Sequence, residues 1–131
     1  MAGENVDQVR RAYEVFDTDL DTLLLFLDPA IEWVSPSDAL EPGTRRGHAG
    51  VREAFAATGM AWEDPTHSAS DYYAPADDKV LVTVNFRGHG RASGMDADQT
   101  EFHLWTLDAG RAVRFEWFYR REEALRRAVL G

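Results

Sequence analysis

The 131-residue chain contains no cysteine. This excludes disulfides and thiolate metal sites and is compatible with a reducing cytoplasm, the expected location. Basic charge is scarce: 14 Lys and Arg stand against 23 Asp and Glu, for a formal charge of −9, and Lys79 is the only lysine. Nucleic acid and anionic membrane surfaces both need a basic patch, so neither is an expected partner. No apolar run approaches the ~20 residues that span a bilayer. Leu23 to Leu27 is too short, and its flanks too acidic, for a signal peptide. Metal-ligand spacing such as His-x-x-x-His with a third ligand is also missing, so no metal and no cofactor are expected. The glycines of Arg87 to Gly94 are wrongly spaced for a dinucleotide loop and lie between strands. The Arg bias and the abundance of Ala and Asp point to a GC-rich bacterial host.

What is present reads as one domain, residues 1–131, with helices first and strands later. Val6, Val9, Tyr13 and Phe16 form an apolar stripe along a helix from Asn5 to Phe16, opposite Arg10, Arg11 and Glu14. Asp17-Thr18-Asp19 offers caps for a second helix over Leu20 to Leu27, ending before Pro29. A short strand, Ala30 to Val34, is broken by Ser35-Pro36-Ser37, and a third helix runs from His48 to Met60. Two hairpins follow: Thr66 to Tyr73 with Lys79 to Arg87, and Gln99 to Leu107 with Ala112 to Tyr119 around the turn Asp108-Ala109-Gly110. Glu122 to Leu130 closes the chain as an amphipathic helix with Ala124, Leu125, Ala128 and Val129 on its apolar side. The fold class is α+β: a curved antiparallel or mixed sheet wrapped around N-terminal helices, giving a cone with a pocket for a small apolar ligand.

Period-two alternation places Gln99, Glu101, His103 and Trp105 on one face of their strand, and Val113, Phe115, Trp117 and Tyr119 on one face of its partner. The result is an apolar wall carrying an acid and an imidazole. His103 can donate to an oxygen gaining charge, or relay a proton, and can equally be a satisfied core histidine. Glu101, two residues away, would have its pKa raised in an apolar cone and serve as acid or base, or be solvated at a wide mouth. His67 and Asp71 share parity and form a candidate acid–imidazole pair. Asp71 can also simply cap the turn. His48 and His89 read as surface residues, and Arg114 and Glu116 as part of an outer, dimer-forming face. The aromatic set Tyr13, Phe16, Trp33, Phe55, Trp105, Phe115, Trp117 and Tyr119 is divided between packing and a pocket for a flat ligand.

Five segments in order, from Val9 to Arg127, resemble the SnoaL-like polyketide cyclase branch of the nuclear transport factor 2 and ketosteroid isomerase superfamily. They are Tyr13 to Leu23, Arg46 to Phe55, Asp78 to Val82, Gly90 to Gly94 and Gly110 to Leu125. The resemblance implies a cystatin-like α+β barrel, often a homodimer through the outer face of the sheet. It implies activities ranging from isomerase, cyclase, dehydratase (lyase) and epoxide hydrolase to no catalysis at all. Residue by residue, His103 falls where isomerases keep a protonated aspartic acid. Ser35 falls on their general-base aspartate, and their helix-one tyrosine falls near Arg11, out of register with Tyr13. Steroid isomerisation by that mechanism is therefore not expected. Trp117 and Arg120 replace aspartates that other relatives carry on the last strand. The expected function is cofactor-independent proton transfer on an apolar oxygenated metabolite (polyketide, terpenoid or steroid-like), such as cyclisation, isomerisation or dehydration. The alternative is a non-catalytic small-molecule-binding or dimerisation module.

Overall fold

The computed structural model describes residues 2–130. Helix α1, Ala2–Val15, buries Val9 and Ala12. A short helix α2, Leu20–Leu24, is capped by Asp19, whose carboxylate accepts from the Thr22 backbone N–H at 3.1 Å. Then come β1 Leu27–Ser35, β2 Gly43–Arg46, α3 Gly47–Ala61, β3 Trp62–Ala76, β4 Lys79–Gly90, β5 Asp96–Asp108, β6 Arg111–Phe118 and α4 Arg121–Leu130. The strands form one mixed sheet in the order β2-β1-β6-β5-β4-β3, open at both edges and antiparallel except where β1 runs parallel to β6. Among the described residues no helix is long and apolar enough to cross a membrane.

The concave face of the sheet holds the main core, with Val80, Val82, Val84, Trp105 and Phe115 packed against Val9, Ala12 and Phe16 from the first helix and its exit, and Val51 from α3. Trp33 and Phe115 stack at 3.9 Å between ring centroids, an arrangement that adds about 1 kcal/mol to simple burial. Helix α4 covers part of the convex face, where Ala124 and Ala128 meet Leu81 and Leu104, with Leu125 beside them. Val129 is exposed. Elsewhere on that face Glu32 pairs with Arg46 and Arg114, and Glu116 with Arg114 and Arg127.

Several boundaries differ from the pattern in the sequence, each for a local reason. The second helix stops at Leu24 and β1 begins at Leu27, because Leu27 already pairs with Ala112 of β6. Pro29 is accommodated inside β1, in the stretch between Leu27 and Glu32 where the register shifts. Strand β2 has no apolar alternation to announce it; it is a polar edge strand paired with β1 from Glu32–Arg46 to Ser35–Gly43. Strand β3 starts four residues earlier than its alternation suggests, with Pro65 at a register shift between Glu63 and Thr66. Gly47 opens α3 at φ +71, where a Cβ would sit 3.2 Å from the Pro29 carbonyl oxygen. The β5–β6 turn is built by Ala109 and Gly110, both at positive φ (51° and 81°), the pattern of a two-residue turn of type I′.

Candidate functional site

Between the concave face, α3, the start of β3 and the α1–α2 turn lies a cavity of about 650 Å³, within the size range of small-molecule sites. Its walls are largely aromatic: Phe16, Trp33, Phe55, Trp62, Phe86, Phe115, Trp117 and Tyr119. Two acid–imidazole pairs are set into them.

The first joins β3 to the turn after α1. His67 Nδ1 lies 2.7 Å from Asp17 Oδ1, and the His67 backbone N–H donates to Asp17 Oδ2 at 2.5 Å. A carboxylate that accepts from both the ring and its own backbone fixes the imidazole in the Nδ1–H tautomer. Phe16 and Phe86 flank the ring at 4.9 and 5.0 Å. No described residue hydrogen-bonds Nε2, which is left with its lone pair on the cavity wall. This is the arrangement of a general base oriented by a carboxylate.

The second pair lies on β5, one strand removed from β3 in the same sheet. His103 Nε2 is 2.9 Å from Glu101 Oε1, and Tyr13 Oη is 2.5 Å from His103 Nδ1. Trp105 Nε1–H donates to Tyr13 Oη at 3.0 Å, and Gln99 Nε2 approaches Glu101 Oε2 at 3.4 Å. His103 is 1% and Glu101 6% exposed. Burial pushes the His103 pKa down against the pull of Glu101, so the ring is neutral. Burial also pushes Glu101 upward, but the hydrogen bond from His103, with His67 and Gln99, outweighs it and leaves the carboxyl below its ordinary value. Burial raises the Tyr13 phenol well above its ordinary value, so it stays protonated. The rings of His67 and His103 are 6.1 Å apart.

The lining has further polar residues, Arg45, Arg91 and Asp64 among them, and two hydroxyls stand out. Ser35 Oγ accepts from Trp117 Nε1 at 3.1 Å, which leaves its own proton available to an oxygen in the cavity. Burial, with Glu101 and Asp38 nearby, raises Tyr119, which remains a donor.

Of the residues the sequence singles out, His103, Glu101 and His67 line this cavity with Phe16, Trp33, Phe55, Phe115, Trp117 and Tyr119. Asp71 does not. A bulge between Ala69 and Asp71 flips the parity of β3, so Asp71 pairs with Thr83, is exposed, and yields the inward place to Tyr72. The partner of His67 is Asp17, fifty residues earlier. Its chance to be found lay only in its position directly after the apolar stripe of α1. Tyr13 and Trp105 do not line the cavity either; they sit behind its wall, hydrogen-bonded in series to His103. Val113 is the extra residue where the β5–β6 register shifts, and it faces an outer cleft with Arg114 and Glu116. His48 is partly buried, its Nε2 3.0 Å from the Leu27 carbonyl, whereas His89 is exposed beside Asp96. Among the described residues no group of three His, Asp or Glu side chains is arranged to hold a metal ion.

A comparison with curated protein sequences finds no match. Solved structures with the same fold are numerous. An NTF2-like protein from Burkholderia thailandensis E264 is 26% identical with a TM-score of 0.82, covering 97% of both chains. Another, from Burkholderia pseudomallei K96243, is 25% identical with a TM-score of 0.80, covering 94% of this chain and 95% of that one. TerC, co-crystallised with polyporic acid, is 24% identical with a TM-score of 0.79, covering 94% and 98%. The SnoaL-like domain family matches residues 9–115, from the first helix to the aromatic wall of the last strand. With that span and this cone-shaped architecture, the chain belongs to the SnoaL-like domain family, within the nuclear transport factor 2 and ketosteroid isomerase-like superfamily.

Proposed function

We propose that this protein is a cofactor-independent enzyme of the cyclase or isomerase type that moves a proton on a flat, apolar, oxygenated metabolite. The observation that carries the reading is the placement of two acid–imidazole pairs, Asp17–His67 and Glu101–His103, side by side in the lining of one cavity with their imidazole centroids 6.1 Å apart. Proton transfer beside a carbonyl needs a base for the carbon, a donor for the oxygen that gains charge, and exclusion of water. His67 Nε2 takes the proton, and the C–H electron pair moves toward the carbonyl oxygen. The hydroxyls of Ser35 and Tyr119 are the donors within the same lining. The enolate then either takes the proton back from His67 at a carbon conjugated with it, which is isomerisation, or attacks an internal carbonyl whose oxygen takes the proton from His67, which is cyclisation. Glu101 is the second cavity-facing group able to accept a proton.

The substrate class is a polyketide, terpenoid or steroid-like compound, argued from the aromatic walls and the cavity volume. Polyporic acid, the ligand of the TerC structure, is a suitable first probe. The test has two stages. A thermal-shift screen of steroids, polyketide mimics and terpenoids identifies ligands, and each is then incubated in D₂O to measure exchange of protons beside its carbonyl groups. Exchange above the buffer rate, reduced about 10²- to 10⁴-fold in His67→Gln, is expected. Ligands that bind but exchange only at the buffer rate refute catalysis and leave a ligand-binding module.

A further inference from the structure

We propose that Tyr13 and His103 are positioning residues, a buried hydrogen-bond chain of fixed direction that holds Glu101 on the cavity wall as an ionised proton acceptor without touching the ligand. This rests on the reading of Glu101 as an acid–base group of the cavity. The direction of the chain follows from its far end. The indole of Trp105 can only donate, and its Nε1–H points at Tyr13 Oη at 3.0 Å. Having accepted there, the phenol donates its own proton to His103 Nδ1, 2.5 Å away. An accepting Nδ1 in a neutral ring requires the proton on Nε2, and that proton faces Glu101 Oε1 at 2.9 Å. Glu101 must then be the acceptor, and an N–H aimed at its oxygen favours the ionised carboxylate, the stronger acceptor. One indole N–H thus sets the hydrogen-bond direction through the three groups beyond it.

Both nitrogens of His103 are consumed in this way and the ring is 1% exposed, so it has no atom free for a ligand. Glu101 Oε2 is different. Its one protein contact is Gln99 at 3.4 Å, near the limit of a hydrogen bond, and the residue lines the cavity. The acid is therefore bound firmly through one oxygen and open through the other, as a positioned base requires. Other ionisable groups near it are His67 from β3 and Tyr119 after β6, while the charge of Asp17 from the α1–α2 turn reaches His103 and Tyr13.

The experiment reads the Glu101 side-chain carboxyl by ¹³C NMR as pH is lowered, in the wild type, Tyr13→Phe, His103→Gln and His103→Phe, with each repeated in a His67→Gln background to remove the neighbouring imidazole. No substrate is needed, so failure of the proton-transfer reading and failure of the positioning chain are distinguishable. Glutamine supplies an N–H for Glu101 and a carbonyl for Tyr13, so His103→Gln is expected to keep the Glu101 titration near the wild-type midpoint. In His103→Phe the hydrogen bond that chiefly opposes burial is gone, and the midpoint moves up. Tyr13→Phe removes the polarising donor and moves it up by less. If His103→Phe does not fold, the contrast between Tyr13→Phe and His103→Gln carries the test. The same midpoint in wild type and Tyr13→Phe, or a glutamine variant whose midpoint rises above that of Tyr13→Phe, overturns the proposal.

Discussion

Replacing Tyr13 by phenylalanine removes one oxygen and leaves the rest of the ring in place, yet the structure assigns that oxygen two partners. Trp105 Nε1–H and His103 Nδ1 both bond to it, and both residues are 1% exposed, so water cannot replace the lost partner. A buried polar group left unsatisfied costs about 1–3 kcal/mol. With two such groups in one network the expected loss is about 2–6 kcal/mol. At roughly 4 °C per kcal/mol for a chain of this size, the melting temperature falls by about 8–24 °C. The assay is urea unfolding followed by tryptophan fluorescence, with Tyr72→Phe as the control. Tyr72 meets Tyr13 edge-on and carries Arg10 over its ring at 4.2 Å, and no described residue hydrogen-bonds its hydroxyl. Its loss is expected to stay within about 0.5 kcal/mol. If Tyr13→Phe also falls within that margin, the buried chain from Trp105 to Glu101 does not exist as described.

Acid should destabilise the fold in two stages. The folded pKa of His103 is depressed by burial below its ordinary 6.5, so the stability from keeping it neutral is complete above that pH and is lost as pH falls from there through the folded value. Glu101, held below 4.5 against its burial, adds a second loss as pH falls from 4.5 through its own folded value. Urea midpoints between pH 8 and 3 should show both, and the lower stage should shrink in Glu101→Gln, leaving the part due to Glu32 and Asp19. Asp17→Asn should leave the protein folded but lower the rate of proton exchange on an identified ligand by about 10²- to 10⁴-fold, because the His67 tautomer is no longer enforced. Asp71→Ala should change neither exchange nor stability by more than about 0.5 kcal/mol, since the β3 bulge turns Asp71 to solvent. Ala109→Gly should raise the melting temperature, because Ala109 sits at φ +51°, where a Cβ costs about 1 kcal/mol that glycine avoids.

The closing hairpin shows how far a one-dimensional pattern reaches. Glu101 and His103 sit side by side on the cavity wall, as alternation along β5 places them, and the aromatic residues of β6 from Phe115 onward face the same way. The pattern fails one bulge earlier, at Val113, and again at Asp71, because a single extra residue reverses every side chain beyond it and leaves no mark in composition. Strand β2 was equally invisible, since an edge strand of Gly, Thr and Arg carries no apolar period.

The amino-acid sequence by itself determined the class of the fold, the order of its helices and of every strand but β2, the aromatic character of the interior and the family resemblance. Each of these depends on local periodicity, turn chemistry and composition. Only the tertiary structure decided which polar groups belong together. Asp17 meets His67 across fifty residues, and Tyr13 meets His103 across ninety, through the packing of α1 against the sheet. It also altered the part His103 can play. From the sequence His103 was an imidazole on an apolar wall, either open to a ligand or satisfied within the core. In the fold Tyr13 and Glu101 occupy both of its nitrogens, and the atoms open to the cavity are His67 Nε2 and the far oxygen of Glu101. The physical reason is that hydrogen-bond direction is a property of the whole chain of partners, fixed here by an indole that can only donate.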